Sequence, residues 1–224
     1  MGNRERNLRG ALSMALVAIL ATSIAQACDQ PPSVREANAV EIRSFFAGQG
    51  KKVLTFLGYS AAGYEHREAM LDQATRILDG FKPEATIVNI GATPDGIGAV
   101  YEIAHRKGFM TTGIVSTQAR DNEIALASCV DVVFYVSDAT WGGFLPGGKQ
   151  LSPTSAAMVE NSDVLVAIGG GTVARDELIA ARGLGRQVRF IPADMDHESA
   201  RDKARRKGQP VPTDFGGAAG AAFQ

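Results

Sequence analysis

Val164-Leu165-Val166-Ala167-Ile168 runs directly into Gly169-Gly170-Gly171-Thr172, and then into Val173-Ala174-Arg175-Asp176-Glu177-Leu178. The first segment has the length and composition of a strand buried on both faces, because no position in it is polar. The glycines end it. From Thr172 to about Ala181 the apolar positions return at helical spacing. Strand, glycine turn and helix in this order expose backbone N–H groups at the start of the helix, where the helix dipole favours an anion. Thr172 adds a hydroxyl donor. A glycine turn of this kind also serves close packing of a strand on a helix, but the strand–glycine–helix context favours an anion site.

The same alternation extends along the body of the chain. Apolar runs predict strands at Val53–Leu57, Ala85–Ile90, Met110–Val115, Val130–Val136 and Val188–Ile191. Between them lie helical patterns at Tyr64–Leu78, Gly96–Arg106, Asp121–Ser128 and Pro153–Asn161. Strands alternating with helices imply βαβ units, hence a Rossmann-like three-layer α/β/α fold with a mainly parallel sheet over residues 51–194. Residues 29–50, with Pro31-Pro32, read as a linker holding a short helix near Ser33–Phe46. Residues 195–224 read as a charged helix, His197–Lys207, and a flexible Gly/Ala tail.

Two further turns carry glycines at strand ends. Gly58-Tyr59-Ser60 follows the first strand, and Gly91 through Gly96-Ile97-Gly98 follows the second. In open parallel sheets ligands bind outside the carboxyl ends of the strands. The candidate binding residues are therefore Gly58, Ser60, Gly91, Gly96, Gly98, Gly169, Gly170, Gly171 and Thr172, for a phosphorylated ligand. Glu177, one turn into the last of these helices, is the candidate catalytic carboxylate or ribose-hydroxyl partner; a solvated acidic residue near a helix start is an equal reading of residue type alone. Two look-alike motifs fall short. Gly169, Gly171 and Ala174 fit G-x-G-x-x-A with Asp194 beyond, but too little chain follows for a dinucleotide domain. Gly143 to Lys149 fits a P-loop spacing, yet Gln150 replaces the hydroxyl residue that would hold magnesium. Residues 139–150 read as a mobile loop, with Trp141 and Lys149 as ligand contacts.

A net charge of −1 and 21% charged residues imply no broad cationic face, so no nucleic-acid partner is expected. The two cysteines, Cys28 and Cys129, are too few for a disulfide framework or a cysteine zinc site. His66, His105 and His197 lie far apart in sequence and follow no ligand spacing. Neither a metal nor a cofactor is expected.

Residues 1–28 have the pattern of an export signal. Arg4, Arg6 and Arg9 precede an apolar run from Ala11 to Ala25, which is short for a membrane span. It ends in Ala25-Gln26-Ala27, a small-x-small cleavage pattern, and Cys28 follows at once. The expected destination is the exported, periplasmic side of a bacterial membrane. Two fates stay open for Cys28: the first residue after plain cleavage, or the lipidated residue of a membrane-anchored lipoprotein. A start codon further downstream would instead leave the body in the cytoplasm.

Three segments together resemble the Lonely-guy family, within a wider Rossmann-like nucleotide-binding superfamily often labelled lysine decarboxylases. Val53–Ser60 is similar to its opening strand and Gly-x-Ser turn. Gly91 through Val100, then Gly108 to Val115, is similar to its second strand, glycine turn and third strand. Ser162–Leu178 is similar to its strand and PGGxGTxxEL loop and helix, with Asp163, Gly170, Gly171, Glu177 and Leu178 matching. The resemblance spans roughly residues 52–194 in order. It implies a homodimer that cleaves the N-glycosidic bond of nucleoside 5′-monophosphates, with the glycine loop on the phosphate and an Arg and a Glu serving the chemistry. This chain departs from the pattern at Val173-Ala174, where the family has Gly-Thr, and at Thr154 and Ser155, where it has Arg and Lys. A hydroxyl cannot neutralise phosphate as a guanidinium does; Arg175, Lys149 and Arg120 are the candidate replacements. The expectation is a diverged nucleotide-binding protein, taking a nucleoside monophosphate or ribose phosphate without catalysis, with the phosphoribohydrolase as the alternative.

Overall fold

The computed structural model describes Cys28 and residues 31–224; the export segment read in residues 1–27 lies outside the described residues. The strands are β1 (Ser33–Glu36), β2 (Lys52–Gly58), β3 (Thr86–Ile90), β4 (Met110–Ser116), β5 (Val132–Val136), β6 (Val164–Ile168) and β7 (Gln187–Ile191). The helices are α1 (Ala39–Gln49), α2 (Arg67–Leu78), α3 (Val100–Arg106), α4 (Thr117–Asp121), α5 (Pro153–Glu160), α6 (Thr172–Gly183) and α7 (His197–Arg206).

The strands form one sheet in the order β1-β5-β4-β3-β2-β6-β7, with every neighbouring pair parallel. The period-two alternation of β2 and β6 splits their side chains between two apolar layers. Leu54, Phe56, Val166 and Ile168 face α2 and α3, while Val53, Leu57, Leu165 and Ala167 face α1, α5 and α6. This is the three-layer α/β/α arrangement, and it explains why β6 contains no polar residue. From β2 the chain steps outward through β3, β4 and β5, then returns to place β6 on the other side of β2. The strand order therefore reverses between β2 and β6, the position at which open α/β sheets leave a crevice.

Inside the α5 layer the sheet carries a buried polar chain. Thr112 Oγ1 donates to Asn89 Oδ1 (3.1 Å), and Asn89 Nδ2 donates to Thr55 Oγ1 (3.2 Å). Thr55 Oγ1 lies 2.5 Å from Ser162 Oγ, which donates to the Met158 carbonyl (2.7 Å). With Ser162 committed as a donor there, Thr55 must donate to Ser162, and every hydroxyl in the chain has one direction. Such groups are tolerated in a core because each is paired.

The structure departs from the sequence expectations in four places. Residues 29–50 are no linker: β1 pairs with β5, Ser33 opposite Val132, and α1 buries Ile42 and Phe46. β1 was hidden because an edge strand exposed at all four positions has no apolar alternation. The start of α1 was legible, since Asn38 and Glu41 form a reciprocal capping box. The expected helix at Asp121–Ser128 is displaced: α4 begins after Ser116, whose hydroxyl accepts from Gln118 N, and Asp121 ends it. The tail is packed rather than flexible, with a 3-10 turn at Ala219–Phe223 that buries Ala219 and Ala222 against α6. Its small residues, read as a sign of low order, are what allow this close approach. Finally, the loop over 139–150 is anchored, as described below.

Cys28 and Cys129 form a disulfide across a sequence separation of 101, with Cα atoms 4.8 Å apart. In the loop-entropy account a closed loop of that length restricts the unfolded chain by about 5 kcal/mol.

Candidate functional site

The carboxyl ends of β3, β2 and β6 bring together the three glycine turns, as their order in the sheet requires. What fills the β2/β6 crevice is the chain itself. Gly58, the last residue of β2, stands opposite Ile168. A Cβ on Gly58 would overlap the Tyr64 hydroxyl, which donates to the Ile168 carbonyl (2.7 Å) and accepts from Tyr59 N (3.2 Å). The Tyr59 ring meets Tyr64 edge-on at 5.2 Å, and its hydroxyl donates to the carbonyls of Ala193 (3.2 Å) and Phe215 (3.3 Å). Gly169 turns at φ +59°, and a Cβ there would sit 2.5 Å from Tyr59 Cε2. The Gly170 carbonyl accepts from Ala219 N (3.0 Å), so the tail closes over the glycine turn. Gly96 and Gly98 likewise pack against carbonyls of Tyr59 and Thr93.

Five of the candidate glycines thus make room for protein atoms: Gly58, Gly96, Gly98, Gly169 and Gly170. The remaining candidates form an open rim. Nothing stands within 4 Å of a Cβ at Gly91 or Gly171. Ser60 and Thr172 are exposed. Gly171 is the N-cap of α6, and no side chain bonds the first-turn amides. That helix end lies at the switch between β6 and β2, with its orphan N–H groups free to accept an anion. The side facing the tail is acidic: burial raises the Tyr59 phenol, the Gly170 backbone opposes this, and the Asp194 and Asp214 carboxylates add to the rise.

Glu177 is not on the rim. It is buried at 4% exposure beneath the 139–150 loop. Ser155 Oγ donates to Glu177 Oε1 (2.7 Å) and accepts from Gly143 N (2.7 Å). Burial pushes the Glu177 carboxyl up to about 7; the Ser155 hydrogen bond opposes this and the neighbouring Asp176 carboxylate adds to it. Ser155 is presented by the first turn of α5, after the Ser152 cap and Pro153 at the position where a missing N–H does no harm.

The loop is held at both ends. Phe144 N donates to Asp176 Oδ2 (2.9 Å), and Leu145 N bonds the Gln150 carbonyl (2.8 Å). Asp138, buried at its base, accepts from Thr154 N (2.9 Å) and from Thr140 N and Oγ1 (both 2.8 Å). Burial alone would raise the Asp138 carboxyl, but these donors and Ser152 outweigh it and hold it low. Asp138 escaped sequence reasoning, although Asp138-Ala139-Thr140 carries an Asx-turn signal.

The three cations that could replace the missing Arg are placed elsewhere. Arg175 donates through both Nε (2.9 Å) and Nη2 (2.7 Å) to one carboxylate oxygen, Asp176 Oδ1. Arg120 pairs with Glu36 across Tyr135. Lys149 is exposed on the loop, as is Trp141.

Fold and site together define a Rossmann-like α/β protein with a glycine-rich carboxyl edge and a sealed acidic side chain behind it. No family model matches the chain, and neither does any curated protein. Among solved structures it is similar to the protein TM1055, with 24% identity over 61% of this chain and 72% of that one, at a TM-score of 0.44. It is similar to the molybdenum cofactor carrier protein from Chlamydomonas reinhardtii, with 18% identity over 62% and 76% of the two chains and a TM-score of 0.45. It is also similar to the molybdenum cofactor binding protein from the phototrophic bacterium Rippkaea orientalis, with 16% identity over 72% and 87% and a TM-score of 0.47.

Proposed function

We propose that this chain binds a small phosphorylated ligand, a nucleoside monophosphate or ribose phosphate, at the carboxyl edge of the sheet and does not hydrolyse it. The observation that carries the reading is the start of α6. It offers amides without a side-chain cap, an unobstructed Gly171 and the exposed Thr172 hydroxyl, all at the switch between β6 and β2. Ser60 and Gly91, in the turns just beyond β2 and β3, supply the adjoining hydroxyl and backbone for the rest of the ligand. The buried Ser155–Glu177 pair supports binding without turnover. With the loop docked, Glu177 cannot reach a substrate, and Arg175 is committed to Asp176.

One observation favours the alternative, an N-glycosidic hydrolase of nucleoside 5′-monophosphates: a carboxyl raised to about 7 is suited to general-acid work at neutral pH. That reading requires the loop to lift from Gly143 and Phe144. Calorimetry of the purified chain with adenosine and guanosine 5′-monophosphates, ribose 5-phosphate, the molybdenum cofactor and inorganic phosphate tests both. Binding without release of ribose 5-phosphate is the expected result. Turnover lost in Glu177→Gln supports the hydrolase, and no binding by any of the panel refutes the ligand site. The homodimer implied by the family resemblance is read in the same preparation by light scattering.

A further inference from the structure

The two cysteines meet at the amino edge of the sheet, opposite the candidate site. Their juxtaposition is built into the strand register. Ser33 pairs with Val132 and its N–H donates to the Asp131 carbonyl (2.9 Å), so β1 and β5 enter the sheet side by side, each with its cysteine a few residues upstream. Cys129 is buried at 6% exposure, and the half-buried Cys28 packs on the same apolar layer. The chain has no third cysteine to compete.

The leader pattern in residues 1–28 ends at Ala25-Gln26-Ala27, which makes Cys28 the first residue of a processed chain. One sulfur then faces two covalent fates. A lipoprotein uses it for a thioether to diacylglycerol; a disulfide uses the same valence, so each fate excludes the other. We propose that Cys28 of the exported chain is taken by Cys129, and that the mature protein is unanchored, its N-terminus pinned to its own sheet instead of to a bilayer. The step is a thiol–disulfide exchange with a disulfide donor of the exported compartment. The thiolate of one cysteine attacks the donor and forms a mixed disulfide, releasing one donor thiol. The other cysteine, as its thiolate, displaces the second. The Cys28–Cys129 bond forms, the two cysteines give up two electrons and two protons, and the donor leaves as its dithiol.

The test is expression of the full chain with its own leader in a bacterium, followed by intact mass under non-reducing conditions, thiol alkylation in denaturant and detergent phase partition. The expected product begins at Cys28, weighs two hydrogens less than the reduced polypeptide, takes alkyl groups on both cysteines only after reduction, and stays in the aqueous phase. The Cys129→Ser variant should lose the two-hydrogen deficit and leave the Cys28 sulfur without its disulfide partner, so that it reports on the bond itself. A diacylglyceryl mass on the N-terminal peptide of the unsubstituted chain, with transfer to the detergent phase, overturns the proposal. So does an uncleaved chain with both thiols free.

Discussion

Gly171→Asp separates stability from ligand binding at the proposed site. Gly171 has extended backbone, φ −87° and ψ −156°, and a Cβ there meets nothing within 4 Å. An aspartate therefore fits without strain, and its carboxylate takes the N–H groups of the first turn of α6. Aspartate is a better N-cap than glycine by a few tenths of a kcal/mol, and a negative charge at this helix end adds about 0.3–1 kcal/mol. The fold should gain about 0.5–1 kcal/mol. The phosphate loses the same amides, and a hydrogen bond to a charged group is worth about 1.5–3 kcal/mol. Loss of one such bond weakens binding about 10- to 150-fold, before repulsion between carboxylate and phosphate is counted. Calorimetry with adenosine 5′-monophosphate, beside urea unfolding of the free chain, reads both effects. Gly171→Asn serves as the uncharged control and should weaken binding less. Unchanged affinity in a Gly171→Asp protein that is as stable as the parent refutes the placement of the phosphate on α6.

Two further outcomes follow from the buried groups. Because burial raises Glu177 from its ordinary 4.5 to about 7, the folded chain holds a proton that the unfolded chain releases, and stability falls as pH rises through that window. Glu177→Gln has no such slope, so urea unfolding should find it more favourable relative to the parent at pH 8 than at pH 5, by up to about 3 kcal/mol; equal effects at both pH values would show that Glu177 is not held protonated. Gly58→Ala forces the Tyr64 hydroxyl from the Ile168 carbonyl and should destabilise by about 2 kcal/mol. Tyr64→Phe in that background should return part of the loss, and no interaction between the two changes in a double-mutant cycle would refute the filled crevice.

The fold was legible where burial imposes a pattern. β6 reads as a strand because both its faces meet helices, and each central strand has the same signature. What escaped is held in ways that leave no apolar periodicity in the sequence. β1 is exposed at every position and owes its place to the edge of β5. The tail owes its place to small residues, Ala219 and Ala222, that let it lie close on α6, and to hydrogen bonds such as Ala219 N to the Gly170 carbonyl and Met195 N to the Phe215 carbonyl. The candidate site was half legible: the glycines mark the carboxyl edge correctly, but a glycine states only that something comes close. Whether that is a phosphate or a tyrosine depends on Tyr59 and Tyr64, whose rings the sequence shows and whose direction it does not.

That distinction reshapes the departures from the family pattern. Arg and Lys would stand at Thr154 and Ser155, and their loss looks from sequence like a simple removal of cationic chemistry. In the structure Ser155 has a definite role of its own: its hydroxyl takes one hydrogen bond from Gly143 and gives one to Glu177. An arginine or lysine side chain could not accept from Gly143, since neither has an acceptor atom, and its length would hold the loop away from α6. Serine is short enough to let Gly142 and Gly143 settle on Val173 and Asp176. Val173, the other departure, is the apolar surface on which they settle. The two changes therefore belong together: one closes the loop over the carboxylate, the other gives it something to close onto. Both leave Gly171 and Thr172 open, so the helix end proposed to take the phosphate stays accessible while the loop closes over Glu177.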